Sequence, residues 1–285
     1  MLSYSQAIIM GIVQGITELF PISSLGHSVI LPKLLGWNIN QNDPFFLDFL
    51  VATHAATALV LFLFFFNDWK LILIGIFRSL KNRKISESDH YAKLGWLLII
   101  GTVPAGILGI FFEHALRSLF ANPQLVAGVL ILNGLMLFGS EYLRRNKKEE
   151  KETGSDKRIA KLTYMQSVQV GIFQCFALIP GFSRTGLTIT GGLFAGLAHI
   201  DAARFSFLLA TPIIGAAAFL KLPKLAMHMD NINIGPMLIG AVFAGLFAYI
   251  SVKFLIKYFE TKKLWPFAIY CLVVGAGVSL VFLFG

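Results

Sequence analysis

Two short polar stretches interrupt an otherwise apolar sequence, and both contain residue types that can do chemistry. The first, QGITELFPISSLGH (14–27), combines a carboxylate, two adjacent hydroxyls and an imidazole. The second, PGFSRTGLT (180–188), combines hydroxyls with an arginine between two glycines. These residue types can act as a general acid or base, as nucleophiles and as anion-binding groups.

The second stretch has the features of an anion-binding site. Gly181 and Gly186 permit tight backbone, and Ser183 or Thr185 is expected to cap the helix that follows. A helix N-terminus with free N–H groups binds anions, and Arg184 adds a planar fork of donors that suits phosphate. The alternative is that Arg184 only pairs with a buried acid. Charges inside a membrane are costly, which favours a functional interpretation.

The first stretch supplies the groups that an anion site lacks. Gln14 and Glu18 lie four residues apart, on one face of a predicted helix. Glu18 is a hard oxygen ligand that suits a Mg²⁺ or Ca²⁺ ion, with phosphate oxygens completing the coordination. Ser23 and Ser24 are candidate nucleophiles, and His27 is a candidate general acid or base.

Each of these residues also has a purely structural interpretation. Glu18 would cap a helix or pair with Arg184, and the two serines would be an N-cap pair. A lone histidine such as His27 is usually structural as well. The combination favours function, because acid, hydroxyls, imidazole, arginine and glycines fall at matching places in two parts of the chain.

Three further polar residues lie in or beside apolar segments. His54 either joins the site or is a histidine satisfied within the core. Asp201 is expected to begin a helix as its cap. Arg204 is expected to pair with Asp201 across one helical turn.

Composition places both polar stretches in a membrane protein. Of the 285 residues, 56% are hydrophobic and 14% are charged, whereas a soluble domain carries about 25% charged residues. A bilayer is crossed by about 20 mostly apolar residues. Six windows satisfy this length: 45–66, 94–112, 124–142, 204–220, 236–256 and 265–284.

The net charge of +9 is a signal of membrane topology, and it does not indicate a nucleic-acid partner. Eighteen of the 24 Lys and Arg lie in three segments, 70–93, 144–161 and 253–263. We interpret these segments as cytoplasmic loops, because cytoplasmic loops are enriched in Lys and Arg. The segment 143–161 is then a solvated cytoplasmic loop that separates two halves of a single membrane domain, 1–142 and 162–285.

The two halves are related by an internal repeat. A shift of 160 residues aligns the polar stretches without a gap, which indicates homologous halves. The aligned pairs include Gln14 and Gln174, Ser23 and Ser183, and Gly26 and Gly186.

Counting crossings predicts an all-α integral membrane fold with an inverted-topology repeat and about six full transmembrane helices. Residues 6–35 and 164–198 are each interrupted by Pro and Gly, so we expect two re-entrant helical hairpins rather than straight spans. Irregular backbone at membrane depth must be buried in protein or line a wet cavity. The two hairpin tips are therefore expected to touch, near the middle of the membrane.

The sequence resembles the undecaprenyl-diphosphate phosphatases, bacterial membrane enzymes of cell-wall lipid recycling that are also linked to bacitracin resistance. The resemblance covers essentially the whole chain. It rests on two motifs in this order, Gln14-x-x-x-Glu18 followed by Pro21-Ile22-Ser23-Ser24-x-Gly26-His27, and Pro180-Gly181-x-Ser183-Arg184-x-Gly186-x-Thr188.

The resemblance implies an enzyme that cleaves a prenyl diphosphate lipid with the help of a divalent cation, Mg²⁺ or Ca²⁺. It implies catalytic roles for Glu18, Ser24, His27 and Arg184, with Glu18 as the metal ligand. The implied substrate-binding residues are Gln14, Ser23, Gly26, Gly181, Ser183, Thr185, Gly186 and Thr188. His27 or a water competes with Ser24 for the role of nucleophile.

The chain departs from the family pattern at two positions. Many members carry Glu where this chain has Gln14, so we expect Glu18 alone to be essential. Thr185 replaces the usual serine and keeps its hydroxyl.

The resemblance also implies a location and partners. The expected location is the plasma membrane, with the site open to the extracytoplasmic side and surrounded by lipid, and a homodimer is left open. The alternative function is a transporter or flippase for an anionic or lipid-phosphate substrate, since inverted repeats are typical of such proteins. A carrier needs no acid–base group, which favours the enzyme.

Overall fold

In the computed structural model of the chain, residues 2–41, 43–119, 122–144, 154–226 and 234–284 are described. Within these ranges the chain is all-helical and contains no strand. The helices are α1 (Tyr4–Thr17), α2 (Ser24–Leu34), α3 (Pro44–Phe64), α4 (Phe66–Asn82), α5 (His90–Leu119), α6 (Pro123–Arg144), α7 (Ser155–Ala160), α8 (Tyr164–Phe176), α9 (Arg184–Phe194), α10 (His199–Ala226), α11 (Ile234–Phe259) and α12 (Trp265–Phe284).

Within the described ranges, six helices are long and apolar enough to cross a membrane, and they coincide with the six windows predicted from hydropathy. The spans are Pro44–Phe64, His90–Phe111, Pro123–Arg144, His199–Lys221, Ile234–Phe259 and Trp265–Phe284. Large apolar side chains cover their outer faces, and Phe111, for example, is 79% exposed. An apolar surface of this extent is stable only against lipid. The chain is therefore a multi-pass membrane protein.

Each polar stretch links two short helices, which pack against each other as α1 with α2 and α8 with α9. The first helix of each pair begins with a capping box, formed by Ser3 and Gln6 in α1 and by Thr163 and Gln166 in α8. The predicted interruption of both segments is thus confirmed. That each pair enters and leaves the membrane on one side stays a prediction.

The helices of the two halves pack on one another reciprocally. Helix α1 packs on α11, and α8 packs on α5; α3 in turn packs on α11, α10 packs on α5, and α3 and α10 pack on each other. A Cβ on Gly11 would collide with the carbonyl oxygen of Gly240, and a Cβ on Gly171 with that of Gly101. Glycine thus allows the backbones to approach at equivalent places. The pattern supports two related halves, and their inversion in the membrane stays a prediction.

Two parts of the chain differ from the expected loops. The segment 70–93, interpreted as a basic loop, is mostly helix α4. Helix α4 buries Trp69, Ile72, Gly75 and Ser79, which recur at helical spacing, and it packs against α5. The predicted charged loop 143–161 contains the short helix α7, which packs on α5 and α10. Residues 145–153 of that loop lie outside the described ranges.

Candidate active site

The two polar stretches meet in the folded chain. The guanidinium of Arg184 forms an ion pair with the carboxylate of Glu18, through Nη2 and Oε1. The hydroxyl of Thr185 donates to the backbone oxygen of Glu18 at 2.9 Å. Ser183 Oγ lies 3.4 Å from the carbonyl oxygen of Phe20. The predicted contact between the two tips is confirmed by these bonds.

Asn133, a residue that sequence reasoning missed, connects both tips to helix α6. Its Nδ2 donates to the carbonyl oxygen of Pro21 at 3.0 Å, and its Oδ1 accepts from the backbone N–H of Ser183 at 3.0 Å. The side chain is fully buried. A polar residue inside a predicted span was the available signal, because an amide buried in apolar surroundings needs hydrogen-bond partners.

Serine caps fix the start of the second helix in each pair. Ser23 Oγ accepts from the N–H of Gly26 at 3.0 Å, and Ser183 Oγ accepts from the N–H of Gly186 at 3.1 Å. The structure thus shows a capping role for both serines, and the substrate-binding role expected of them stays a prediction. Gly181 has φ +106°, which only glycine adopts without strain.

Ser23 and Ser183, which align in the internal repeat, differ in backbone conformation. The φ of Ser23 is +72°, whereas that of Ser183 is −91°. A positive φ in a residue other than glycine costs about 1–3 kcal/mol and tends to occur at functional sites. The strained position directly precedes Ser24, so the backbone conformation of Ser23 determines where that hydroxyl lies.

The carboxylate of Glu18 is the centre of the site. While Arg184 binds Oε1, Oε2 accepts from the hydroxyl of Ser24 at 2.5 Å and from Nε2 of Gln14 at 3.1 Å. Nε2 of His54 lies 3.2 Å from the same oxygen. The Glu18 side chain is 4% exposed. A buried carboxylate is tolerated only when its charge is paired and hydrogen-bonded, as it is here.

Glu18, rather than His27, is the hydrogen-bond acceptor for Ser24. Nδ1 of His27 lies 2.6 Å from the carbonyl oxygen of Ser23, and Nε2 lies 2.8 Å from the hydroxyl of Tyr270. A carbonyl oxygen only accepts, so Nδ1 carries a proton, and in the neutral ring Nε2 then accepts from Tyr270. The ring of His27 therefore makes no hydrogen bond to Ser24 in this structure, and its expected role as general acid or base stays a prediction. His27 instead holds the backbone that precedes Ser24.

His54 is the histidine that faces Glu18. Its Nδ1 lies 2.7 Å from the carbonyl oxygen of Leu50, one turn earlier in α3. Both ring nitrogens therefore face oxygens that accept hydrogen bonds, the carbonyl of Leu50 and the carboxylate of Glu18. A ring protonated at both nitrogens would donate to each. Of the two interpretations left open for His54, the geometry favours membership of the site.

The remaining predicted residues lie around this centre. Thr188 Oγ1 donates to the carbonyl oxygen of Arg184 at 2.8 Å and lies 2.5 Å from the hydroxyl of Ser206. Thr185 and Thr188 are both buried, and their hydroxyls bind protein oxygens. They hold the start of α9 in place, whereas Arg184 and Ser183 reach the cavity described next.

A cavity of about 360 Å³ opens beside the ion pair. Four of the predicted site residues line it, namely Glu18, Ser24, Ser183 and Arg184, and so do His54 and Gln174. The rest of the wall is largely apolar. Its apolar residues include Leu47, Leu50, Val51, Leu178, Ile213 and Ile214. A small polar end joined to an apolar wall suits a ligand with a charged head and a hydrocarbon tail.

The donor set fits a divalent cation of the magnesium type. In the described residues there is no cluster of three or more His, Cys, Asp or Glu. However, Mg²⁺ is commonly held by one or two carboxylates together with substrate phosphates and water. Glu18 supplies one carboxylate, and Oε1 of Gln14 is a buried oxygen without a hydrogen-bond partner in the structure. These two residues are the ones that would hold the ion.

The fold and the site together define a class of protein, a multi-pass membrane protein with a buried carboxylate, arginine and serine at the polar end of an apolar cavity. The family model described as bacitracin resistance protein BacA matches residues 7–277. The chain belongs to this family.

Curated relatives are similar over almost the whole chain. An undecaprenyl-diphosphatase of Mycolicibacterium paratuberculosis is 43% identical, covering 99% of this chain and 98% of its own length. An undecaprenyl-diphosphatase 2 of Chromobacterium violaceum is 44% identical over 97% of this chain and 98% of its own. An undecaprenyl-diphosphatase of Acidiphilium cryptum is 42% identical, with 98% of each chain covered.

Proposed function

We propose that the chain hydrolyses undecaprenyl diphosphate to undecaprenyl phosphate and inorganic phosphate. One observation carries this proposal. Ser24 Oγ lies 2.5 Å from one oxygen of Glu18 while Arg184 binds the other, and all three residues line one cavity. The proposed nucleophile Ser24 and the proposed phosphate-binding guanidinium of Arg184 thus both contact Glu18, the proposed proton acceptor. Membership of the BacA family and the names of the curated relatives agree with this chemistry.

In the proposed reaction Ser24 is the nucleophile and Glu18 accepts its proton. The Ser24 oxygen attacks the terminal phosphorus, its proton moves to Oε2 of Glu18, and the bond from that phosphorus to the bridging oxygen breaks. The lipid monophosphate leaves with the bond electrons and takes up the proton. Water then attacks the phosphoserine, which releases inorganic phosphate and restores the hydroxyl. Direct attack by water on the diphosphate is the competing route.

Arg184 binds the phosphate through the transition state. Its Nη1 also donates to the carbonyl oxygen of Ala210 at 3.3 Å, so the guanidinium is held from two sides. A fixed donor in a site shielded from water stabilises developing charge without reorganising. Such preorganised donors are the main source of rate in phosphoryl transfer.

A divalent cation held by Glu18 and Gln14 would neutralise charge on the diphosphate oxygens. The prenyl chain is proposed to lie along the apolar wall of the cavity, against Leu50, Val51 and Ile213. The proposed location is the plasma membrane, with the cavity open to the extracytoplasmic side. The basic segments 144–161 and 253–263 support this orientation, because cytoplasmic loops are enriched in Lys and Arg.

Phosphate release by the purified protein in detergent tests the proposal. The unmodified chain is expected to release phosphate from undecaprenyl diphosphate, and Ser24→Ala and Arg184→Ala are each expected to lose about 100-fold or more in kcat. Ser28→Ala is the matched control, since Ser28 lies one turn further along α2 and its hydroxyl donates to the backbone oxygen of Ser24 at 3.0 Å. Full activity of a folded Ser24→Ala or Arg184→Ala protein would refute the assigned role.

The same assay separates the enzyme from a transporter. A carrier moves its substrate between two compartments and gives no turnover in detergent. The comparisons favour the phosphatase, because the three curated relatives described above are named as diphosphatases.

A further inference from the structure

Gln174 is a buried amide for which the described part of the protein provides no partner. The residue lies in the last turn of α8 and is 2% exposed. Neither its Nε2 nor its Oε1 has a hydrogen-bond partner within the structure. Nearly all buried polar side chains are hydrogen-bonded, and leaving one unpaired is costly. Gln174 lines the cavity together with Glu18, Ser24 and Arg184, so a ligand there can reach it.

The repeat mate of Gln174 indicates what this ligand is. Gln14 occupies the equivalent position in α1, and its Nε2 donates to the carboxylate of Glu18 at 3.1 Å. Glu18 follows Gln14 by four residues, whereas the residue four positions after Gln174 is Leu178. The second half therefore keeps the amide donor and lacks the anion that this donor binds in the first half.

We infer that Gln174 binds a phosphate group of the substrate, a role that rests on the proposed function. Its Nε2 donates to a non-bridging oxygen of the diphosphate, which takes the place that the Glu18 carboxylate has beside Gln14. Its Oε1 accepts from a protonated phosphate oxygen. Arg184 lines the same cavity and supplies the positive charge that draws an anion there. Gln174 is thus a substrate-binding residue from the second half of the chain, at the position that aligns with Gln14 in the first half.

Gln174→Met tests this role, because methionine has the length and flexibility of glutamine without its polar atoms. We expect kcat/KM for undecaprenyl diphosphate to fall about 10- to 100-fold, which corresponds to one lost hydrogen bond to a charged group, with a raised KM. The melting temperature is expected to stay the same or to rise, because an unpaired buried amide is removed. Gln174→Glu is expected to lower kcat/KM further, because its carboxylate repels the phosphates.

Gln166→Met is the matched control on the same helix. Gln166 has protein partners, since its Nε2 donates to the carbonyl oxygen of Ala195 at 2.9 Å and its Oε1 accepts from Thr163. This variant is expected to lose stability and to keep its KM. Gln174→Met is therefore expected to raise KM without lowering the melting temperature, whereas Gln166→Met is expected to lower the melting temperature without raising KM.

The outcomes separate this inference from the proposed function. If the unmodified protein releases no phosphate, the proposed function fails. If it is active and Gln174→Met keeps an unchanged KM, or loses melting temperature as Gln166→Met does, Gln174 is a structural residue and the inference is overturned. If Gln174→Met does not fold, Gln174→Glu decides, and an unchanged KM in that variant overturns the inference.

Discussion

Arg184 donates to the carboxylate of Glu18, a residue 166 positions earlier in the chain. The two side chains are 16% and 4% exposed, so the pair is largely removed from water. It joins the interrupted segment of one half to that of the other. The second oxygen of the same carboxylate accepts from the hydroxyl of Ser24. The contact between the two halves and the proposed chemistry therefore share this ion pair.

Removing both partners of this pair is expected to cost less stability than the sum of the two single removals. Glu18→Gln leaves the guanidinium of Arg184 without a carboxylate, and Arg184→Gln leaves a buried negative charge. Each is expected to lower the free energy of unfolding by about 3–5 kcal/mol. The double variant is expected to be destabilised by less than the sum of the two. Thermal unfolding of the four proteins in detergent measures this coupling, and simple additivity would contradict it.

The two histidines are expected to differ in their contribution to the rate. His54→Gln is expected to lower kcat by about 100-fold or more, because His54 contacts the Glu18 oxygen that we propose as the acceptor of the Ser24 proton. Tyr270→Phe removes the partner of His27 Nε2 and is expected to change kcat by less than about 5-fold, within the effect of one neutral hydrogen bond. Phosphate release under saturating substrate is the measurement. A larger loss from Tyr270→Phe than from His54→Gln would show that proton transfer runs through His27.

Chelation of divalent cations is expected to abolish phosphate release, and added Mg²⁺ or Ca²⁺ is expected to restore it. Gln14→Glu provides a second carboxylate beside Glu18 and is expected to lower the cation concentration for half-maximal activity by about 10-fold. Gln6→Glu is the control, because it makes the same charge change on the same helix. Gln6 is the third helical residue of a capping box, a position at which Glu and Gln are equally suitable. An identical cation requirement in all three proteins would exclude Gln14 from the metal site.

Arg158 is expected to be important for stability although it lies far from the site in sequence. Its Nε and Nη2 donate to both oxygens of Asp201, at 2.5 and 2.8 Å, and Asp201 is 1% exposed. Arg158→Ala leaves that carboxylate buried and is expected to cost about 3–5 kcal/mol. Lys157→Ala, an exposed neighbour on α7, is expected to change stability by less than about 0.5 kcal/mol. Equal melting temperatures for the two variants would contradict the role of this pair.

The pairing of these charges was predicted wrongly from the sequence. Asp201 lies in the first turn of α10 and pairs with Arg158, and it does not pair with Arg204 one turn later. Arg204 instead binds Asp68 at 2.6 Å and Asp156 at 2.9 Å. Spacing along one helix identifies neighbours on that helix only. Partners from α4 and α7 arrive through tertiary packing and compete for the same charges.

Other differences have equally local causes. Helix α4 was interpreted as loop because its basic residues dominate the composition of the segment, although its buried residues recur at helical spacing. Asn133 was missed because a single amide in a span gives no motif. His27 was placed beside Ser24 because the two are close in sequence, whereas its ring points to Tyr270.

The amino-acid sequence alone determined the six spans, the two interrupted segments and the contact between the two polar stretches. These features follow from hydropathy, from glycine and proline, and from the cost of leaving charges unpaired in an apolar medium, which are properties of the residues themselves. Only the tertiary structure decided that His54 rather than His27 faces the carboxylate, and that Gln174 faces the cavity. Those choices depend on how each helix is rotated about its axis, and the rotation is set by packing against neighbours that are distant in sequence.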